Sequence, residues 1–406
     1  MKAVIRPGTA RGTVQAPPSK SMAHRQLICA ALAQGESTVH GVARSEDVLA
    51  TADCLSALGA SLSWEGTSVR VRGCDPRTAG PAVLRCRESG STLRFMIPLC
   101  LLSGSPVRLE GSETLLSRPL SVYEDLCREQ GLTLRRSDGG LLAEGRLVPG
   151  DYAVPGSISS QFITGLLFAL PLLPGSSRIR LIPPVESSSY LSLTLQALCD
   201  AGIPVSWTDE NTLAVPGNAS YRPRDAEVEG DYSNAAFFEA FNCAGGAVAV
   251  TGLRADSLQG DRVYREYFPR LAAGPAELDL ADCPDLAPVL FTVAALNRGA
   301  VFTGTRRLRF KESDRGAAMA REMAKFGISL ILEENRITVP AIPLRAPAEP
   351  LDSHNDHRIA MALSLLCARA GGEIRGAEAV RKSFPDYWEK LKSLGIDVSL
   401  SAGPGE

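Results

Sequence analysis

The sequence predicts an α/β protein of two domains, each built from three copies of one repeated unit. Three observations point there. A chain of 406 residues exceeds what one hydrophobic core ordinarily serves and suggests two domains of roughly 200 residues each. Six stretches share one plan: a small polar start, an apolar helix and a closing Gly. A second, amphipathic kind of helix alternates with them and runs into a short strand of period two.

The six apolar stretches are "SKSMAHRQLICAALAQG", "SGSTLRFMIPLCLLSG", "SSQFITGLLFALPLLPG", "DYSNAAFFEAFNCAGG", "CPDLAPVLFTVAALNRG" and "NDHRIAMALSLLCARAGG". Their starts fall near Ser19, Ser89, Ser159, Asp231, Asp285 and Asn355, at intervals of 70, 70, 72, 54 and 70 residues. That is one period with one shortened unit. Between them lie "CLSALGASLSW", "DLCREQGLTLR", "LQALCDAGIPVSW", "REMAKFGISLIL" and "KLKSLGIDVSL", with "YFPRLAAG" as a degenerate copy. Gly after the last turn is the expected left-handed cap. "VRLEG", "IRLIPP" and "VFTGT" supply further strands. A helix apolar on nearly every face must be buried all round, whereas an amphipathic one covers a sheet from outside. Three units around an axis therefore bury three apolar helices, and the polar segment "GNASYRPRDAEVEGD", residues 217–231, divides the third unit from the fourth.

Composition narrows the function. The 43 Lys plus Arg against 45 Asp plus Glu leave no global basic field for nucleic acid or an anionic membrane. Aromatic residues are 6%, without the stacking run that single-stranded nucleic acid needs. The ten cysteines form no CxxC pair and sit in apolar patterns, as reduced core residues of a cytosolic protein do. The N-terminus lacks a signal-peptide core and no apolar run is long enough to span a bilayer, so a cytoplasmic protein is expected. There is no GxxxxGK[ST] loop and no GxGxxG after a strand. His354 and His357 lack a neighbouring third ligand, so no metal is expected.

The charges are placed oddly. Lys20 and Arg25 stand in the first turns of the first apolar helix, where the dipole is positive and disfavours cations. Its removal in Lys20→Met is therefore expected to leave stability unchanged or raised. Helix starts offer free N–H groups to anions, and if the apolar helices run parallel, three such ends converge in each domain. Arg358 repeats the anomaly of Lys20 in "NDHRIAMALS". Lys311 and Arg315 stand at i and i+4 in "RFKESDRGAAMA", with Glu312 and Asp314 between them, as on one helical face. Arg118 and Lys382 precede amphipathic helices in corresponding units. Arg suits bidentate phosphate and carboxylate binding, and Lys a mobile point charge. "SSQF" adds hydroxyl and amide donors, and "PPVESSSY" adds Ser187 and Tyr190 for a polyhydroxylated ring. Asp285, a carboxylate among cations, reads either as a general base or as a helix cap.

The motifs "PPSKSMAHR", "SGSTLR", "SRPL", "SSQF", "GDYSNAAFF", "PDLAPV", "KESDR", "NDHRIAMAL" and "KSFPDYW" occur in the order found in the enolpyruvyl transferases, and the whole chain resembles that family. The resemblance implies two domains, 19–226 and 1–18 plus 227–406. Each would be three βαβαββ-type units around buried parallel helices, in an inverse α/β barrel-like fold with the active site in the cleft between the domains. It implies transfer of the enolpyruvyl group of phosphoenolpyruvate to the 5-hydroxyl of shikimate 3-phosphate, by a monomer needing no cofactor. Lys20, Ser21, Arg25, Ser159, Ser160, Gln161, Ser187, Tyr190, Asp285 and Lys311 are then expected around shikimate 3-phosphate. Lys20, Gly90, Arg118, Gln161, Arg315, Arg358 and Lys382 are expected around phosphoenolpyruvate. Lys20, Asp285 and Glu312 are implied in the proton transfers.

Two positions depart from the family pattern. Glu88, Ser89, Gly90 and Ser91 stand where many members have Asn-Ala-Gly-Thr, and Arg307 stands where many have Asn. The related transferase that acts on UDP-N-acetylglucosamine carries a reactive Cys just before its Arg-Pro motif, and "EGSETLLSRP" has none. An RNA 3′-phosphate cyclase on similar repeats would need a nucleotide site or stacking aromatics, which the sequence lacks. A non-catalytic anion-binding paralogue would not need Lys20, Asp285, Glu312 and Lys382 together.

Overall fold

Ser19, Ser89, Ser159 and Asp231 each turn a side-chain oxygen onto a backbone N–H of the helix that follows, which satisfies donors that the first turn leaves without partners. A computed structural model describes residues 1–402 of the chain. In chain order its helices are α1 (Lys20–Leu32), α2 (Glu46–Ala57), α3 (Gly90–Cys100), α4 (Glu113–Leu116), α5 (Ser121–Gln130), α6 (Ser160–Ala169) and α7 (Ser188–Asp200). Then come α8 (Tyr232–Glu239), α9 (Tyr264–Ala273), α10 (Ala287–Leu296), α11 (Arg315–Lys325), α12 (His357–Ala370) and α13 (Tyr387–Ser393).

The two helix characters persist in three dimensions. In α3 every residue from Thr92 to Cys100 is buried, and in α12 every residue from His357 to Ala368. By contrast α5 buries only Val122, Tyr123, Leu126 and Cys127, a single stripe, and Gly131 closes it at φ 67.

The chain divides into two compact units, Pro18–Glu229, and Met1–Pro17 with the chain from Gly230 onward. Each has its own hydrophobic core. In the unit Pro18–Glu229 one sheet plan occurs three times. Ala82–Arg85 runs parallel to Val107–Glu110, which pairs antiparallel with Gly140–Glu144 and through it with Thr133–Ser137. Asp151–Pro155, Ser177–Ile182, Thr212–Val215 and Ser206–Asp209 repeat that order. In the remaining sheet the parallel strand is Ala226–Glu227, which returns from the end of the unit to pair with Glu36–His40. That pairing, continued by the bond from Val228 N–H to the His40 carbonyl, ties residues 226–228 to this unit.

The other unit shows the plan twice in full, on Ala276–Asp279 with Ala300–Thr303 and on Leu351–Asp352 with Gly372–Arg375. The second of these sheets takes in the N-terminal strand Lys2–Ile5, between Gly372–Arg375 and Val398–Ser401. The shortened repeat has no hairpin of its own among the described residues. Its strand Ala247–Thr251 pairs instead with Arg11–Gln15. Two N-terminal strands thus anchor the chain's beginning in the unit formed mainly by its second half.

Two expected helix starts shift. Asp285 does not cap a helix: it lies inside a 3-10 turn, Pro284–Leu286, and α10 begins at Ala287. The last buried helix is capped by Asp356, whose side chain accepts the Arg358 N–H, rather than by Asn355. The face assigned to Lys311 and Arg315 does not exist either. Asp314 caps α11, so Lys311, which closes the preceding 3-10 turn, and Glu312, in the bend after it, lie outside the helix and only Arg315 is helical. An Asp one residue before a helix stops it from extending backwards by taking the orphan donors.

No helix among the described residues is long and apolar enough to cross a membrane. All ten cysteines are unpaired, and only Cys199 is exposed.

Candidate active site

In the unit Pro18–Glu229 the starts of α1, α3 and α6 are joined through polar side chains. Arg94, in the second turn of α3, donates to Gln161 Oε1 at 2.7 Å, and Gln161 Nε2 donates to Ser91 Oγ at 2.9 Å. Gln161 follows Ser160 in the first turn of α6, where Ser159 is the cap. Thr92 donates to the Asp47 carbonyl at 3.3 Å, and Asp47 takes the Lys20 ammonium at 2.6 Å. Thr51 bridges Thr92 and His24, at 2.7 Å to each. Four helices are therefore fixed to one another at their positive ends.

Arg118 lies in the loop between α4 and α5. A Cβ on Gly90 would stand 2.6 Å from an Arg118 terminal nitrogen and 3.4 Å from one of Arg94. Only a glycine at the first position of α3 admits both guanidinium groups against the helix start. Among the described residues Arg118 meets no carboxylate, and its Nε is buried without a partner. Two guanidinium groups near the positive end of a helix dipole are an arrangement suited to an anion.

Arg25 is placed differently. It is buried, donates to Thr194 Oγ1 at 2.9 Å and to the Ser21 and Tyr190 carbonyls at 2.7 and 2.9 Å, and lies over the Phe95 ring. Burial lowers its pKa to about 10. It ties α1 to α7, and Ser187, the residue just before α7, is buried in a left-handed conformation at φ 59. A non-glycine residue held there is a local strain of the kind found at ligand sites.

The second unit carries a denser ionic cluster. Asp285 receives Lys311 Nζ at 3.2 Å, Arg315 at 2.7 Å and Arg358 at 3.0 Å. Arg315, itself fully buried, also meets Glu312 at 2.7 Å and Asp356 at 2.9 Å. Lys382 donates to the Asn355 carbonyl at 2.6 Å. Burial alone would raise the Asp285 pKa, but Arg358, Lys311 and Arg315 together hold it well below the usual carboxylate range. Burial lowers the Lys311 pKa, opposed by Asp285 and reinforced by the charges of Arg307 and Arg315. Arg307 is buried rather than pointing outward.

Sequence reasoning missed Asp47, Arg94 and Asp356. Arg94 carried a usable signal, since it is a lone cation in an apolar helix, the same anomaly as Arg25 one repeat earlier. Asp47 carried none, because its partner lies 27 residues away. Lys20 is consequently not an unliganded cation at a helix start: Asp47 already balances it, which removes the premise on which Lys20→Met was expected to spare or raise stability.

The repeated α/β units, with cations and hydroxyl donors gathered at buried helix starts, define an enolpyruvyl transferase fold. The chain belongs to the EPSP synthase (3-phosphoshikimate 1-carboxyvinyltransferase) family, which it matches over residues 5–391. It is 37% identical over 415 residues to 3-phosphoshikimate 1-carboxyvinyltransferase of Clostridium kluyveri, covering 97% of each chain. To that of Clostridium beijerinckii it is 37% identical over 420 residues, covering 96% of this chain and 97% of the other. In fold it is similar to EPSP synthase of Acinetobacter baumannii, with a TM-score of 0.77 at 24% identity over 98% of this chain and all of the other. The enolpyruvyl transferase NikO of Streptomyces tendae is similar with a TM-score of 0.76 at 16% identity, covering 99% of each.

Proposed function

We propose that this protein transfers the enolpyruvyl group of phosphoenolpyruvate to the 5-hydroxyl of shikimate 3-phosphate, releasing inorganic phosphate. The single observation behind the site assignment is the approach of Arg118 and Arg94 to the Gly90 end of α3, where two guanidinium groups and the helix dipole together favour an anion. Full-length membership of the EPSP synthase family identifies the reaction.

The roles divide by charge. Gly90, Arg118 and Gln161, with Arg315, Arg358, Lys382 and Lys20, take the phosphate and carboxylate of phosphoenolpyruvate. Ser21, Arg25, Ser159, Ser160, Gln161, Ser187 and Tyr190 take shikimate 3-phosphate, together with Lys20, Asp285 and Lys311. Arg94, bonded to Gln161, adds a cation to the first set.

The 5-hydroxyl oxygen attacks C2 of phosphoenolpyruvate and its proton passes to Asp285, while C3 gains a proton from Glu312 or Lys20. The resulting tetrahedral ketal loses a proton from C3 as the C2–O bond to phosphate breaks, leaving the enol ether and phosphate. A base is most effective with a pKa near the working pH, and Asp285 is far from it while Lys311, Arg315 and Arg358 surround it. Substrate anions that draw those cations away raise the basicity of Asp285, so binding primes the base. Most of the acceleration then comes from orientation of two anions and stabilisation of departing phosphate.

The test is phosphate release by purified protein given both substrates, without added metal or nucleotide. Release only when UDP-N-acetylglucosamine replaces shikimate 3-phosphate would overturn the reading.

A further inference from the structure

Two turns along α11 from Arg315 stands Glu322, a carboxylate with no side-chain exposure. One of its oxygens meets His354 Nε2 at 2.9 Å. The other accepts the Asp352 N–H at 2.9 Å and Lys325 Nζ at 2.8 Å. Each bond on this buried carboxylate is made to the turn before α12 or to a neighbour on α11.

The turn needs holding. His354 and Asn355 both lie at φ 52, two consecutive non-glycine residues in the left-handed region that side chains disfavour. Such a conformation persists only where the surroundings over-determine it. His354 N–H donates to Asp352 Oδ1 at 2.6 Å and Asn355 N–H to Ser353 Oγ at 3.2 Å. Asp356 N–H donates to the Ser353 carbonyl at 2.9 Å.

Two cations take their bearings from this turn: Lys382 Nζ bonds the Asn355 carbonyl at 2.6 Å and Arg315 Nε bonds Asp356 Oδ2 at 2.9 Å. The backbone N–H of Arg358 bonds Asp356 Oδ1 at 2.9 Å, so the turn also caps the helix that carries that third cation. Helix α11 therefore braces the turn twice, through Arg315 on Asp356 and through Glu322 on His354.

We propose that Glu322 and His354 are positioning residues for phosphoenolpyruvate: their contact fixes the left-handed turn whose Asn355 carbonyl and Asp356 carboxylate set Lys382 and Arg315, and whose Asp356 caps the helix that carries Arg358. The proposal rests on the reading that those three cations hold phosphoenolpyruvate. Neither Glu322 nor His354 touches the reacting atoms, so their effect passes through placement of the cations.

His354→Asn tests it, because Asn tolerates the left-handed conformation but is too short to reach Glu322. In the full-length protein KM for phosphoenolpyruvate rises about tenfold, while kcat and KM for shikimate 3-phosphate stay within about twofold and Tm is unchanged. Glu322→Gln keeps an acceptor for the Asp352 N–H and gives a smaller rise, whereas Glu322→Ala gives at least the rise of His354→Asn. Amide exchange at Asn355 and Asp356 in the ligand-free protein quickens about tenfold in His354→Asn. An unchanged KM for phosphoenolpyruvate, unchanged exchange at the turn, or equal rises in both KM values with a fall in Tm overturns the proposal. If the parent protein fails to turn over the two substrates, the functional reading falls, and exchange at the turn still decides whether Glu322 and His354 hold it.

Discussion

Lys20 Nζ stands 2.6 Å from Asp47 Oδ2, with the two side chains only 13% and 9% exposed. The positive end of α1 thus holds a cation already matched by a carboxylate from α2, and removing one charge leaves the other nearly buried and alone. Lys20→Met is expected to lower stability by about 3 kcal/mol, the usual consequence of breaking such a pair, and to abolish turnover. Adding Asp47→Asn removes the stranded carboxylate and recovers most of that stability without recovering activity. Urea melts of the two single variants and the double variant measure the coupling; a double variant no more stable than Lys20→Met defeats the argument.

Gly90 gives a second prediction. A Cβ there meets the far end of the flexible Arg118 side chain at 2.6 Å, so the arginine swings aside and the fold is hardly disturbed. Gly90→Ala should leave Tm within about 2 °C of the parent, since a surface-like rearrangement costs under about 0.5 kcal/mol. Its KM for phosphoenolpyruvate should rise about tenfold through misplacement of one cation. Arg118→Lys keeps the charge but loses the planar fork and should match it. Steady-state kinetics with phosphoenolpyruvate varied separates this from a loss of kcat.

What was legible in the sequence followed from local chemistry. Ser19, Ser89 and Ser159 cap the helices the spacing predicted, because a cap and its helix are contiguous and an all-apolar run has one way to be buried. Lys311 was misplaced because i, i+4 spacing does not reveal that Asp314 starts the helix after it. Asp285 was misread as a possible cap because Pro284 opens a 3-10 turn rather than the helix itself. The pairs that hold the site, Lys20 with Asp47 and Arg315 with Asp356, span 27 and 41 residues. Side chains that far apart meet only once the repeats have packed, so no local pattern encodes them.

Asp285 competes with substrate for Lys311, Arg315 and Arg358. Asp285→Asn should cost about 10² to 10⁴ in kcat if the carboxylate is the base, while KM for phosphoenolpyruvate stays level or falls as the cations lose their internal partner. The same variant leaves three cations under-compensated, so inorganic phosphate should raise its Tm more than that of the parent. A parallel fall in kcat and rise in KM, with no added protection by phosphate, would show that Asp285 only orients the cations.

Asp261, buried in the turn before α9, answers to pH in the opposite sense from Asp285. Burial, and then the negative charge of Asp285, push its pKa up to about 7 despite the opposing charge of Arg358. An unfolded Asp titrates at about 3.9, so between about pH 4 and 7 the folded protein keeps a proton that the unfolded chain has lost. Stability contributed at this position therefore declines as pH rises through that window and does not return above it. Asp261→Asn has no proton to lose and should gain on the parent by on the order of 1 to 3 kcal/mol between pH 4 and pH 8. Urea unfolding of both proteins at several pH values reads the difference. Parallel stability curves would mean that Asp261 is ionised in the folded state.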